Sequence, residues 1–240
     1  MKLDILAIGA HPDDVELGCA GTLAKEIDKG KSVGVLDLTR GELGTRGSAE
    51  IRDKESAAAA KILNIKIREN LSFSDGFFIN DKDHQIEIIK IIRKYRPEVV
   101  FCNAVDDRHI DHPKASQLVS SSCFLSGLTK INTKLDGSNI FQEEWRPKFI
   151  YHYLQWKNIS PDICVDISDF MTIKLKAVMA YESQFFKEGL SEKNTPISTK
   201  NFIDSVEYRA RDLGRISGVD YAEGFTVERC PLVNSIFDLK

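Results

Sequence analysis

Short, unbroken apolar runs alternate with longer amphipathic stretches along the first half of the chain, and this alternation constrains the fold most. "ILAI" (residues 5–8) and "VVFC" (99–102) have no polar face, so they suit strands buried on both sides. The pattern predicts strands over Leu3–Gly9, Ser32–Leu38, Asn70–Phe73 and Glu98–Asn103. Helices are predicted over Val15–Lys29, closed by Gly30, over the alanine-rich Ala49–Leu63, over Gln85–Tyr95, stopped before Pro97, and over Pro113–Leu125. A βαβα order of this kind implies an α/β domain with a mostly parallel sheet and helices on both faces. Beyond residue 126 the pattern weakens. "FIYHYLQW" (149–156) and "DICVDI" (162–167) read as strands, Met171–Glu182 and Lys200–Leu213 as helices. The polar stretch 127–145 reads as an insertion or long loop within a single domain spanning 1–240.

Composition excludes several functions. A hydrophobic fraction of 42% supports an ordinary core, and a net charge of −3 gives no electrostatic footing for nucleic acid. No run approaches the roughly 20 apolar residues of a membrane span. The first residues carry Asp4 and a strand pattern, which fits folded structure better than a secretory signal. Five scattered cysteines with no C-x-x-C spacing point to reduced thiols, hence a cytoplasmic protein, and not to a thiolate zinc site.

Two polar loops stand at the ends of the first and fourth predicted strands. "AHPDDVE" (10–16) and "DDRHIDHP" (106–113) contain three of the chain's five histidines. In a doubly wound sheet both loops fall on the carboxyl edge, where ligands bind. Imidazole and carboxylate are suitable zinc ligands, and three of them with an open position describe a catalytic site. His11, one of Asp13 or Asp14, and one of His109 or His112 make such a set. The second carboxylate can then take a proton from a metal-activated water, and the second imidazole can serve as acid, oriented by Asp111. An Asp before a helix is, by itself, only an N-cap, and either loop alone is weak. It is their convergence that carries chemistry. His84 reads as a solvated turn residue, and His152 as a packed strand residue with the pocket as its alternative.

The loop "TRGELGTRGS" (39–48) follows the second strand and matches neither phosphate-binding fingerprint, which argues against nucleotide binding. Arg40, Arg46 and Arg52 are candidate clamps for an anionic substrate.

With these residues in view, "AHPDDVELGCAG" and "DRHIDHP" resemble the LmbE-like (PIG-L) family of zinc-dependent N-acetylglucosamine deacetylases, Val15 standing where Glu is frequent. The likeness extends through "TRGELGTRGS", Arg52 with Glu55, "ESQF" (182–185) and "YAEGF" (221–225). These flanks look like the branch that deacetylates N-acetylglucosaminyl-malate in bacillithiol biosynthesis. The resemblance implies a Rossmann-like fold and one Zn2+ per chain, held by His11, Asp14 and His112, with Fe2+ chemically compatible. It implies Asp13 as general base, His109 backed by Asp111 as acid or oxyanion partner, and Arg52 and Arg108 as substrate contacts. The substrate is then a small sugar conjugate, attacked at its acetamide by zinc-activated water, in a homo-oligomer that is a hexamer in several members. Three rivals remain: a deacetylase of another conjugate such as an N-acetylated chitooligosaccharide, a two-metal phosphoesterase using Asp106, Asp107 and Asp111, and a sugar-binding protein with a structural metal.

Overall fold

The computed structural model describes residues 1–135, 137–185 and 193–239. Among them the chain forms β1 (Ile5–Gly9), α1 (Asp14–Asp28), β2 (Val33–Thr39), α2 (Ala49–Ile62), β3 (Ile67–Phe73), α3 (Lys82–Tyr95), β4 (Val99–Cys102) and α4 (Asp111–Ser126). The second half adds β5 (Phe149–Tyr153), β6 (Ile163–Asp166), α5 (Met171–Val178), α6 (Lys200–Ser217) and β7 (Ala222–Val227). One seven-stranded sheet runs β3-β2-β1-β4-β5-β7-β6. Strands β3 to β5 in that order pair in parallel, whereas β7 lies antiparallel between β5 and β6. The expected α/β architecture is therefore present.

The two-residue period of a strand sorts the core. Leu6, Ile8, Leu36 and Val100 point to one face, under α3 and α4, while Ile5, Ala7, Val33 and Val35 point to the other, under α1. On that second face α1 sits very close to the sheet. Gly18 makes this possible, since a Cβ there would lie 2.2 Å from the Tyr153 ring.

Several elements differ from the sequence expectation, α3 beginning at Lys82 and α6 ending at Ser217 among them. Strand β3 begins at Ile67 and not Asn70: Arg68 reaches the buried carboxylate of Asp37 at 2.7 Å, and Glu69 accepts from Lys94 at 2.7 Å, so charges that argue against a strand are paired. Strand β7 escapes the sequence pattern because Glu223 interrupts its apolar run. That carboxylate is buried and accepts from Gly21 N, Thr22 N and Lys174 Nζ. Helix α5 stops at Val178, four residues before the predicted Glu182. The described part of 127–145 holds one isolated bridge, Lys134 to Phe141, and no helix or strand. No helix of the described residues is long and apolar enough to cross a membrane.

What positions the site is the sheet order. The chain leaves β1 toward β2 and β3, then returns to the other side of β1 with β4. The loops after β1 and β4 diverge at this switch point, opening a crevice at the carboxyl edge.

Candidate active site

Into that crevice the two polar loops deliver their side chains. They line a cavity of about 440 Å³, together with the loops after β2, β3 and β5 and one face of α6.

Asp13 is the N-cap of α1, yet its side chain makes no capping hydrogen bond. Its backbone is held at φ 116°, a left-handed conformation that costs a non-glycine residue about 1–3 kcal/mol. The carboxylate turns instead toward Arg52 on α2, whose Nη2 donates to Asp13 Oδ2 at 2.9 Å and also to the Pro12 carbonyl. A simple capping role is thus excluded. Burial pushes the Asp13 carboxyl up to about 7, against the downward pull of the Arg52 guanidinium.

Asp14 is the most heavily bonded acid of the site. Its Oδ2 accepts from His11 N at 2.9 Å and Asn103 Nδ2 at 3.0 Å, while Oδ1 accepts from Gln155 Nε2 at 2.9 Å. Two imidazoles face the same carboxylate: His11 Nδ1 lies 3.4 Å from Oδ2, and His112 Nε2 lies 3.1 Å from Oδ1. Burial alone would raise the Asp14 carboxyl, but His112 and His11 hold it well below the usual carboxylate range.

The far nitrogens of both rings are held by acids. His112 Nδ1 meets Asp107 Oδ2, and His11 Nε2 meets Asp75 Oδ1 at 3.1 Å and Asp111 Oδ2 at 3.3 Å. Each imidazole therefore turns one nitrogen to the Asp14 carboxylate and has the other fixed by a carboxylate, the outer arrangement of histidine metal ligands. A divalent cation suits this donor set. The third ring, His109, is close as well: ligand atoms of His11, His109 and His112 lie within 4.8 Å of one another. His11, Asp75 and Asp111 form another such group, but Asp75 also accepts from Leu43 N at 3.0 Å, and Asp111 from Gly76 N at 2.8 Å and Lys114 Nζ at 3.1 Å. We read that group as the support behind His11.

His109 differs from its neighbours. No carboxylate of the described residues is hydrogen-bonded to its ring; Asp111 N donates to Nδ1 at 3.3 Å. Burial, with His11 and His112 nearby, lowers its proton affinity below the ordinary imidazole value. The Asp111 carboxylate consequently does not stand behind His109, as the sequence suggested. It supports His11, and only its backbone amide orients His109.

The arginines divide. Arg52 lines the cavity and is buried against Asp13, a contact that positions the acid. Arg108 lines the cavity with its guanidinium 4.5 Å from the Trp156 ring centroid. Arg40 is bound to Asp53 at 2.5 Å, away from the cavity, and Arg46 is buried outside its lining. His84 pairs with Asp81 at 2.7 Å, and His152 is buried between Ser116 and Glu228, so neither reaches the site. Asp106 is an exposed partner of Lys157, leaving the rival two-metal arrangement without that residue.

Asp75, Asn103 and Gln155 belong to the site and are not singled out by the sequence. Each follows a strand at the same sheet edge, and that position was the one signal available.

The model of the family "PIG-L: GlcNAc-PI de-N-acetylase" matches residues 6–123, which contain both polar loops. A diacetylchitobiose deacetylase of Thermococcus kodakarensis is 32% identical over 235 residues, covering 92% of this chain and 81% of that protein. Among solved structures, the conserved protein TT1542 from Thermus thermophilus superposes with a TM-score of 0.84 at 36% identity over 98% of both chains. The N,N'-diacetylchitobiose deacetylase from Pyrococcus horikoshii gives 0.76 at 28% identity, over 93% of this chain and 82% of its own. The family match over both polar loops, with a deacetylase relative similar along nearly the whole chain, makes this chain a member of the GlcNAc-PI de-N-acetylase (PIG-L) family.

Proposed function

We propose that this protein is a metal-dependent hydrolase that removes the acetyl group from an N-acetylglucosamine conjugate. One observation carries the reading. A buried acid in strained backbone, Asp13, is denied its capping role and held by Arg52 beside a set of two imidazoles and one carboxylate fit for a cation.

A divalent ion held by His11, Asp14 and His112, zinc or iron(II), supplies Lewis-acid activation of water and of the acetamide carbonyl. The protein's own groups do the rest. Asp13, with its proton affinity brought near neutrality, accepts a proton from the attacking water as its oxygen bonds to the acyl carbon. The Asp111 amide donates to His109 Nδ1, which leaves the N–H on His109 Nε2 free to donate to the developing oxyanion. When the carbon–nitrogen bond breaks, Asp13 returns its proton to the departing amine. Acetate and a free glucosamine result.

For the conjugate, N-acetylglucosaminyl-L-malate is the first reading, supported by the flanking motifs and by Arg108 in the cavity wall. An N-acetylated chitooligosaccharide is the second, supported by the two relatives named diacetylchitobiose deacetylase. Incubating metal-loaded enzyme with each compound and with free N-acetylglucosamine, and measuring acetate and primary amine, tests the function. Release of both products in equal amounts is the expected result. No release from any of the three would overturn it.

A further inference from the structure

In the cavity wall, Trp156 touches two guanidinium groups. Arg108 stacks on its ring at 4.5 Å, and Arg209 of α6 donates through Nη2 to its backbone carbonyl at 3.2 Å. Both arginines line the cavity. Neither has an ion-pair partner among the described residues. The carboxylate whose charge Arg209 senses is Asp107, but Asp107 is already engaged: Oδ2 meets His112 Nδ1 and Oδ1 accepts from Lys157 N at 2.9 Å. Arg209 is half-buried, and burial lowers the proton affinity of its guanidinium. A guanidinium has five N–H donors. In Arg209 one of them is engaged by a carbonyl, and none by a carboxylate among the described residues. The remaining donors, in a cavity wall, are open to an anionic acceptor. Trp156 itself stacks on Phe202 of α6, ring centroids 5.8 Å apart, which fixes the indole against that helix.

We infer that Arg209 and Arg108, both in contact with Trp156, form a subsite for the carboxylate group of an anionic aglycone, with Arg209 selecting charged over neutral N-acetylglucosaminides. This rests on the deacetylase reading and deepens it: the acetamide lies at the imidazoles, and the aglycone end reaches α6. Arg209 is thereby a specificity-determining residue that the sequence motifs do not single out.

Binding to metal-free protein separates this inference from the proposed activity. Titration calorimetry would compare N-acetylglucosaminyl-malate with the neutral methyl N-acetylglucosaminide, in the wild type and in Arg209→Gln and Arg209→Lys. A charge-assisted contact is worth about tenfold or more in affinity. The malate conjugate should therefore bind at least about tenfold tighter than the methyl glycoside. Arg209→Gln should abolish that preference without changing the methyl glycoside, and Arg209→Lys should restore part of it. In turnover of the malate conjugate the same loss should fall on KM and leave kcat in place. Equal binding of the two compounds by the wild type, or equal weakening of both in Arg209→Gln, would overturn the subsite. Absence of acetate release from metal-loaded wild type would instead strike the deacetylase reading, whatever the binding shows.

Discussion

Arg52 Nη2 donates to Asp13 Oδ2 at 2.9 Å, joining the second helix to the cap of the first across the mouth of the cavity. Both side chains are buried, so this contact fixes where the acid points. The sequence suggested that losing Arg52 would mainly weaken substrate binding. The geometry predicts another outcome. Arg52→Met should lower kcat by about 10²-fold through a misplaced base, with a smaller change in KM. Steady-state kinetics on the acetylated conjugate separates the two: a pure KM effect would return Arg52 to the role of substrate clamp.

Asp107, in the cavity wall, holds the far nitrogen of His112. Asp107→Asn should therefore leave the cavity intact while weakening metal affinity by about 10–100-fold, as removal of an outer carboxylate generally does. His112→Ala should bind still less metal. Competition with a chromophoric chelator measures both. Unchanged affinity in Asp107→Asn would mean that His112 is not a ligand.

Gly18 predicts a packing defect. A methyl group at this position meets the ring of Tyr153, itself fully buried with its hydroxyl on the Ile8 carbonyl at 2.9 Å. Gly18→Ala should cost about 1–3 kcal/mol by overpacking, although alanine is the better helix former. Thermal unfolding with a midpoint equal to or above that of the wild type would contradict the close approach of α1 to β5.

Lys174 and Glu223 form a buried ion pair at 2.5 Å, and Lys174 Nζ also donates to the Leu17 carbonyl of α1. Lys174→Met leaves the Glu223 charge buried without its cation and should destabilise by about 3–5 kcal/mol. Replacing both residues with apolar ones should be milder than the single change. Denaturant unfolding of the single and double variants checks the ordering.

The first half of the fold was legible because β1 and β4 are short, unbroken apolar runs, and because polar loops then mark their ends. His11, Asp13, Asp14, His109 and His112 stood out for the same reason: so much ligand chemistry is unusual at the mouth of an apolar strand. Asp75, Asn103 and Gln155 gave no comparable signal. Each is a single polar residue in an ordinary loop, and what it does depends on neighbours brought in by the fold, as Gln155 shows by meeting Asp14 at 2.9 Å from the end of β5. The roles of Arg52 and Asp111 were obscured similarly. Sequence shows a charge near a site, but not which buried partner it will take. Strand β7 was hidden by Glu223, a carboxylate that the strand tolerates only because Lys174 and two amides of α1 receive it.

Metal content set against acetate release tests the account most directly. The protein should bind one divalent ion per chain by elemental analysis, lose acetate release on chelation, and regain it in proportion to zinc added back up to one equivalent. His112→Ala should show neither ion nor release, and Asp13→Asn should keep the ion while losing release by about 10²–10⁴-fold. Full acetate release from the chelated protein, or a requirement for two ions per chain, would contradict a single cation gripped by His11, Asp14 and His112.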